Sequence, residues 1–355
     1  MPGSVDRWHG GYALDRRIYK VVLPIMVYER MHLPFISVVI PTYNRAYYLG
    51  KTIRSLFVQD YPKDRYEVIV VDNSSTDGTK ELVESLQREK NSSLRYFLKE
   101  PEGPGPARSL GVQKSKGEII AFVDSDCIAD RHWLSEGSQW IRDDIGLVQG
   151  KTLPDPSVSY GVLSRSVKIE KKSHVYECCN MFYRKDVILD VGGFSRIYSD
   201  DRKDKRESYV LGGEDLDLAY RVMRQGWKSA FSEKALVYHE VTQKSVWTWF
   251  FERRYIRLPL LVKHFPELRE HLFMKYFLSR SHFLFILALT GLVAMLLHPL
   301  FGLFALPYVI HYTLLPSVSW KGFPKIFRAI ACFPRDTMTF VLILMGSIRH
   351  HSLLL

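Results

Sequence analysis

The sequence predicts an α/β fold: a mainly parallel sheet with crossover helices, followed by a C-terminal membrane region. Three observations carry this reading. Short apolar runs at 35–40, 66–71 and 119–123 alternate with stretches of helical periodicity, the pattern of parallel strands buried on both faces. Each run opens into a polar loop, at Thr42-Tyr43-Asn44-Arg45, at Asp72 and at Asp124-Ser125-Asp126. The last roughly 80 residues hold most of the long apolar runs, two of them without charge.

Taken in order, residues 1–34 form an extension. Its 18–27 stretch is apolar apart from Tyr19 and Lys20, but it contains Pro24 and is too short to span a bilayer. It packs on the main domain or lies at a membrane interface. The first residues lack the apolar core of a signal peptide, which argues against secretion by that route. The first strand, 35–40, is stopped by Pro41. A helix fits 49–58, with Leu49, Ile53, Leu56 and Phe57 on one face. The second strand, 66–71, runs into Asp72, and the cap-rich turn 73–78 leads to a helix at 80–88. A short strand follows at 94–98, then the loop 103–111 passing into a helix, then the strand that ends at Asp124. Beyond it, 145–150, 179–183 and 234–238 read as strands and 199–207 as a highly charged loop. Gly212-Gly213-Glu214-Asp215 opens a helix that runs to Gln225 and is capped by Gly226.

The C-terminal third changes character. Trp247, Trp249, Phe250 and Phe251 precede Arg253, Arg254 and Arg257, a mixture suited to a lipid headgroup region. The charge-free stretches 281–297 and 300–319, about 17 and about 20 residues, read as two membrane-spanning helices joined at His298-Pro299. Lys275 and Arg280 precede the pair and Lys321, Lys325 and Arg328 follow it, so both flanks and the domain before them fall on the cytoplasmic side. A third apolar stretch, 329–348, is interrupted by Pro334-Arg335-Asp336 and reads as interfacial or re-entrant. The expected division is an extension at 1–34, a catalytic domain at 35–242, an amphipathic linker at 243–280 and a membrane region at 281–355. A net charge of +11 asks for an anionic partner, and the membrane region accounts for much of it without nucleic acid. The four cysteines show no metal spacing and no disulfide pattern, which fits a reducing compartment.

The chemistry sits at the strand ends. Carboxyl ends of parallel strands share one sheet edge, so the loops at Tyr43-Asn44-Arg45, Asp72 and Asp124/Asp126 line one crevice. Asp124 and Asp126 suit a divalent cation that chelates a nucleotide diphosphate. Asp72 can accept from base N–H groups, or serve as a strand-end turn residue. A dinucleotide fingerprint fails at 103–108, where Arg108 occupies the third glycine position, and no Walker P-loop is present. Arg108 is an anion or base contact, or a salt-bridge partner. Glu214 and Asp215 lie in the first turn of a helix, where the dipole stabilises carboxylates; they cap it, or Asp215 serves as a general base. His239 at a strand end is a metal ligand or a structural histidine.

These motifs resemble the large inverting nucleotide-sugar glycosyltransferase family of GT-A fold, which includes polyprenyl-phosphate sugar synthases. The resemblance covers about 35–240 through Val38-Val39-Ile40-Pro41-Thr42-Tyr43-Asn44-Arg45, Val71-Asp72-Asn73-Ser74-Ser75-Thr76-Asp77-Gly78-Thr79, Ala107-Arg108-Ser109-Leu110-Gly111, Asp124-Ser125-Asp126 and Gly213-Glu214-Asp215. It implies that Pro41, Tyr43, Asn44, Arg45, Asp72, Arg108 and Asp124 bind a UDP- or GDP-sugar donor. It further implies that Asp124 and Asp126 hold Mg²⁺ or Mn²⁺ at the diphosphate, and that Asp215 is the catalytic base. His239 matches a metal-facing position more loosely. The expected activity is membrane-anchored transfer to a lipid-linked hydroxyl or phosphate, in glycan, cell-surface polysaccharide or glycoprotein synthesis. Two other functions compete. A nucleotidyltransferase would need a glycine-rich activating loop before the first helix, which is missing. A non-catalytic membrane scaffold with a nucleotide-sugar pocket would not need Asp124, Asp126 and Asp215 together.

Overall fold

The computed structural model describes residues 33–90, 93–159, 161, 163–195, 213–250, 253–314 and 327–355. The 18–27 stretch, the 199–207 loop, the end of the second apolar run and the flank at Lys321 and Lys325 lie outside the described residues. Eight strands form one sheet in the order β3 (Leu94–Leu98), β2 (Tyr66–Asp72), β1 (Ile36–Thr42), β4 (Ile119–Val123), β8 (Asn180–Arg184), β6 (Ile145–Pro154), β9 (Lys228–His239), β5 (Cys127–Ala129). β3, β2, β1 and β4 are mutually parallel, β8 runs antiparallel between β4 and β6, and β9 is parallel to β6. β7 (Ser164–Arg165) and β10 (Thr242–Gln243) make a separate two-stranded ladder.

The central strands are buried on both faces because alternate apolar side chains enter different cores. Val39, Ile69, Val71, Ile120 and Phe122 face one cluster; Val38, Ile40, Val68, Val70 and Ala121 face the other. Helices α1 (Ala46–Phe57), α2 (Thr79–Lys90) and α3 (Pro104–Lys114) make the crossovers. A Cβ at Gly111 would lie 2.3 Å from Val39 Cγ1, so glycine lets α3 rest directly on β1 and fixes the depth of Arg108. β1 pairs with β2 as far as Asp72 but with β4 only as far as Val39. Past that point the strands part, and Pro41, which has no N–H to give, lies in the opening.

The structure adds elements that the periodicity missed. They are β5, the short helices α4 (Trp133–Ser138) and α5 (Lys185–Asp190), and the first half of β9, whose mixed-polarity segment pairs with β6. Helix α6 (Glu214–Arg224) starts at Gly213, held at φ 113°, and ends before Gly226 at φ 94°, both conformations that favour glycine.

After α7 (Val246–Phe250) and the 3₁₀ turn Arg253–Arg257, helix α8 (Leu258–His264) and the turn Pro266–His271 bring Leu261, Val262, Phe265 and Leu268 into the same apolar cluster as Val39 and Ile69. Arg224 of α6 clasps Glu267 through two hydrogen bonds of 2.9 Å each. The expected linker is therefore packed onto the sheet domain. The first apolar run forms α9 (Arg280–Ala294), which has 15 residues. That is about 22 Å, short of a hydrocarbon core of about 30 Å. The second run becomes the 3₁₀ turn Pro299–Ala305 and α10 (Leu306–Leu314). The third is a single helix, α11 (Phe327–His350), continuous through Pro334 where an interruption was expected. The charges beside Pro334 are satisfied within this region: Asp336 accepts from Tyr308 at 3.0 Å and Tyr312 at 2.6 Å and pairs with Arg335 at 3.0 Å. Among the described residues, α11 alone is long and apolar enough to cross a membrane.

Candidate active site

The carboxyl ends of β1, β2 and β4 and the start of α6 converge on one crevice edge, as the loop positions predict. Two loops are interlocked there. Asn44, at φ 50°, accepts from the Thr76 N–H at 2.7 Å, and its own N–H donates to Ser75 Oγ at 2.8 Å. Asp77 accepts from the Ala46 N–H at 2.9 Å, capping α1 from the neighbouring loop. Tyr43 is exposed beside them. Asp72 is 1% exposed, and both its oxygens are engaged locally, Oδ1 by the Ser75 N–H and hydroxyl and Oδ2 by Tyr96 at 2.7 Å. In this state Asp72 shapes the turn. Burial and the Asp72 carboxylate push the Tyr96 phenol up, so it stays a donor.

Arg108 joins the rest. It is 4% exposed, donates to Asp124 Oδ1 at 2.8 Å and to Asp215 Oδ1 at 2.9 Å, and lies 3.8 Å from Glu214. Its Nε is buried without a hydrogen-bond partner among the described residues. The other oxygen of Asp215 accepts from the Cys178 N–H at 3.0 Å. That contact was invisible in the sequence, because it uses a main-chain donor brought in by the turn before β8. Burial pushes the Cys178 thiol up, and Asp215 adds to the effect.

Glu214 sits beside Asp215 in the first turn of α6 and is buried there. Burial pushes its carboxyl up to about 7, Asp215 adds to the shift and Arg108 opposes it. A folded pKa above the ordinary 4.5 means that the native state holds this proton more tightly than the unfolded chain. The stabilisation is complete below 4.5 and lost as pH rises through about 7. Across that window the thermal midpoint should fall with rising pH in the wild type and fall less in Glu214→Gln. Equal slopes in scanning calorimetry would refute the assignment.

Asp126 and His239 meet because β5 and β9 are antiparallel with Cys127 opposite His239. Asp126 Oδ2 is paired with Arg45, while Oδ1 is buried, has no hydrogen-bond partner among the described residues and lies 3.7 Å from His239 Nε2. His239 Nδ1 lies 3.0 Å from the Glu240 carbonyl, which can only accept, so Nδ1 donates there and Nε2 is the ring nitrogen turned towards Asp126. Cys127 Sγ lies in the same cluster, within 4.8 Å of the other two ligand atoms. Burial, with Asp126 beside it, pushes this thiol up and keeps it protonated. Asp124 is held by Arg108 instead.

Two family models match this chain, glycosyl transferase family 2 over residues 37–199 and glycosyl transferase family group 2 over 119–321. The chain belongs to glycosyltransferase family 2. Among family 2 relatives, glycosyltransferase AglE of Haloferax volcanii is 32% identical over 217 residues, 58% of this chain and 67% of that protein. The poly(ribitol-phosphate) beta-N-acetylglucosaminyltransferase TarS of Staphylococcus aureus is 36% identical over 107 residues, 30% of this chain and only 19% of that protein. A Methanococcus voltae enzyme, dolichyl N-acetyl-alpha-D-glucosaminyl phosphate 3-beta-D-2,3-diacetamido-2,3-dideoxy-beta-D-glucuronosyltransferase, is 23% identical over 222 residues, 60% of this chain and 68% of that protein. In structure, the chain is similar to the mannosyltransferase PcManGT of Pyrobaculum calidifontis, solved with GDP-Man and Mn²⁺. The TM-score is 0.54 at 18% identity, covering 94% of this chain and 96% of that one. The family 2 fold is thus GT-A, as the motifs implied, and the chain is a glycosyltransferase.

Proposed function

We propose that this chain transfers a sugar from a UDP- or GDP-sugar to a lipid-linked hydroxyl or phosphate, with inversion and with Asp215 as general base. The observation that carries this reading is the bridge made by Arg108. One buried guanidinium holds the donor-side Asp124 and the acceptor-side Asp215 together, so leaving-group and base chemistry share one charge cluster. The acceptor O–H gives its proton to Asp215, its oxygen bonds to the anomeric carbon, and the bond from that carbon to the diphosphate breaks. Pro41, Tyr43, Asn44, Arg45 and Asp72 frame the nucleotide side, with Tyr43 exposed to meet it. The likeness to an enzyme solved with GDP-Man and a relative named for a dolichyl phosphate substrate support the donor and acceptor classes.

A divalent cation, Mg²⁺ or Mn²⁺, fits the residues present. Asp126 has an unmatched buried oxygen, His239 turns a ring nitrogen towards it, and a carboxylate oxygen with an imidazole nitrogen can hold such an ion. Asp124, Asp126 and His239 would hold the ion, which supplies Lewis-acid stabilisation to the departing diphosphate. His239→Ala should raise the Mn²⁺ concentration for half-maximal activity by about tenfold, equivalent to about 1.4 kcal/mol. An unchanged metal titration would remove His239 from the set.

The direct test of function is to incubate the full chain with a panel of nucleotide sugars and membrane lipid extract, following nucleoside diphosphate release. Release that depends on both donor and lipid fraction is expected. Absence of release with every donor in Mn²⁺ and Mg²⁺ would favour a non-catalytic pocket.

A further inference from the structure

We infer that the α9–α10 hairpin enters one leaflet of a bilayer without crossing it, with α11 lying flat at its base. This rests on the lipid-linked acceptor of the proposed function and sets how the chain meets the bilayer that holds it. The hairpin has two unlike halves. The near half of α9 is packed: Leu284, Phe285 and Ala288 are buried against Tyr308, Tyr312, Ala329 and Cys332. The far half projects, and Leu296 and Leu297 at its tip are 89% and 84% exposed, with Leu292, Val293, Leu300 and Leu303 exposed around them. An apolar surface this large, with no charged residue from 281 to 320, matches hydrocarbon and not water.

The position of α11 fixes the depth. Phe285 touches both Phe333 and Phe340, with ring centroids at 5.1 and 6.1 Å, although these lie two turns apart on α11. The N-terminal half of α11, through Ala329, Cys332, Phe333 and Phe340, closes the near half of α9 and leaves its far half uncovered. The C-terminal half of α11 leaves the hairpin and packs on the sheet domain. A Cβ at Gly346 would lie 2.2 Å from the Ile256 carbonyl oxygen, and Lys263 donates to the His350 carbonyl at 3.0 Å. The polar belt lies at this level too: Arg335 stacks over Trp249 at 5.2 Å and pairs with Asp336, which takes both tyrosine hydroxyls. Charge pairs, tyrosines and tryptophan at one height are the composition of a headgroup layer. What projects beyond it is residues 290–294 of α9, about 7 Å of helix, with residues 295–297 and the turn back. One leaflet of hydrocarbon is about 15 Å deep.

The test uses the full chain with Leu296→Cys, a position so exposed that truncating it leaves the fold alone. The four native cysteines are buried and do not compete for label. The labelled protein is added to preformed phosphatidylcholine–phosphatidylglycerol vesicles carrying nitroxides either near the headgroup or at the acyl ends, with a membrane-impermeant maleimide trapped in the lumen of a parallel, unlabelled sample. Leaflet insertion predicts co-flotation, at least twofold stronger quenching by the acyl-end nitroxide, and no modification from the lumen. Modification from the lumen would show a crossing and overturn the depth while leaving membrane binding intact. Failure to float, with no quenching, would overturn both the hairpin insertion and the membrane reading; a dimer in light scattering would then identify a second copy as the cover. In Leu296→Lys/Leu297→Lys, vesicle partition should fall at least tenfold with donor turnover in solution unchanged, and undiminished partition would equally sink the proposal.

Discussion

Asp215→Asn should lower sugar transfer to a hydroxyl acceptor by about 10²–10⁴-fold, the range a positioned general base contributes, and change nucleoside diphosphate affinity less than about threefold. The asymmetry follows from where Asp215 sits. It lies in the first turn of α6, held by Arg108 on one oxygen and by the Cys178 N–H on the other. Asparagine keeps the shape but cannot accept from both, since its amide nitrogen only donates. A fall in transfer with intact nucleotide binding supports proton removal as the role. A parallel loss of nucleotide affinity would mean that Asp215 acts mainly by holding Arg108. Full activity would remove Asp215 from the chemistry. Transfer to a phosphate acceptor, already anionic, should suffer far less, and the ratio of the two losses reports the acceptor class.

Much of this was legible in residue order because the strands are buried on both faces. Val38 to Ile40, Val68 to Val71 and Ile119 to Val123 are unbroken apolar runs, and Asp72, Asp124 and Asp126 lie at their exits, while Glu214 and Asp215 come from the glycine-capped start of α6. What escaped depended on pairing across long sequence separations. The Asp126–His239 approach is set by the register of β5, a three-residue strand too short to carry a periodic signal. The first half of β9 carries polar residues because its side chains are partly exposed, so it lacks the apolar run by which the central strands announce themselves. The Cys178 contact uses a peptide N–H, which has no side-chain signature at all. In the C-terminal region charge-free length was legible but orientation was not. Whether a helix stands up or lies flat depends on neighbours such as Ile256 and Phe285, and these are remote in sequence.

Arg108→Met should be the most destabilising single change in the crevice. The guanidinium is 4% exposed and faces the buried Glu214 and the half-buried Asp124 and Asp215, so its loss leaves these carboxylates without a counter-charge. Breaking a fully buried pair from one side costs about 3–5 kcal/mol, because the remaining charge keeps its desolvation penalty, and the partial exposure of Asp124 and Asp215 puts this loss at the lower end of that range. The thermal midpoint should drop by on the order of 10 °C near neutral pH. The deficit should shrink as pH falls through about 7, where Glu214 takes up its proton and one of the charges facing the missing guanidinium is removed. A deficit that stays constant with pH would mean that lost packing against Phe194, 5.9 Å from the guanidinium, dominates. Arg108→Lys separates charge from geometry. One ammonium restores part of the stability but cannot fork to Asp124 and Asp215 together, so transfer should stay low in a protein that melts near the wild type. If lysine restored transfer as well as stability, the bridge between donor side and base would carry no function, and Arg108 would be a counter-ion only.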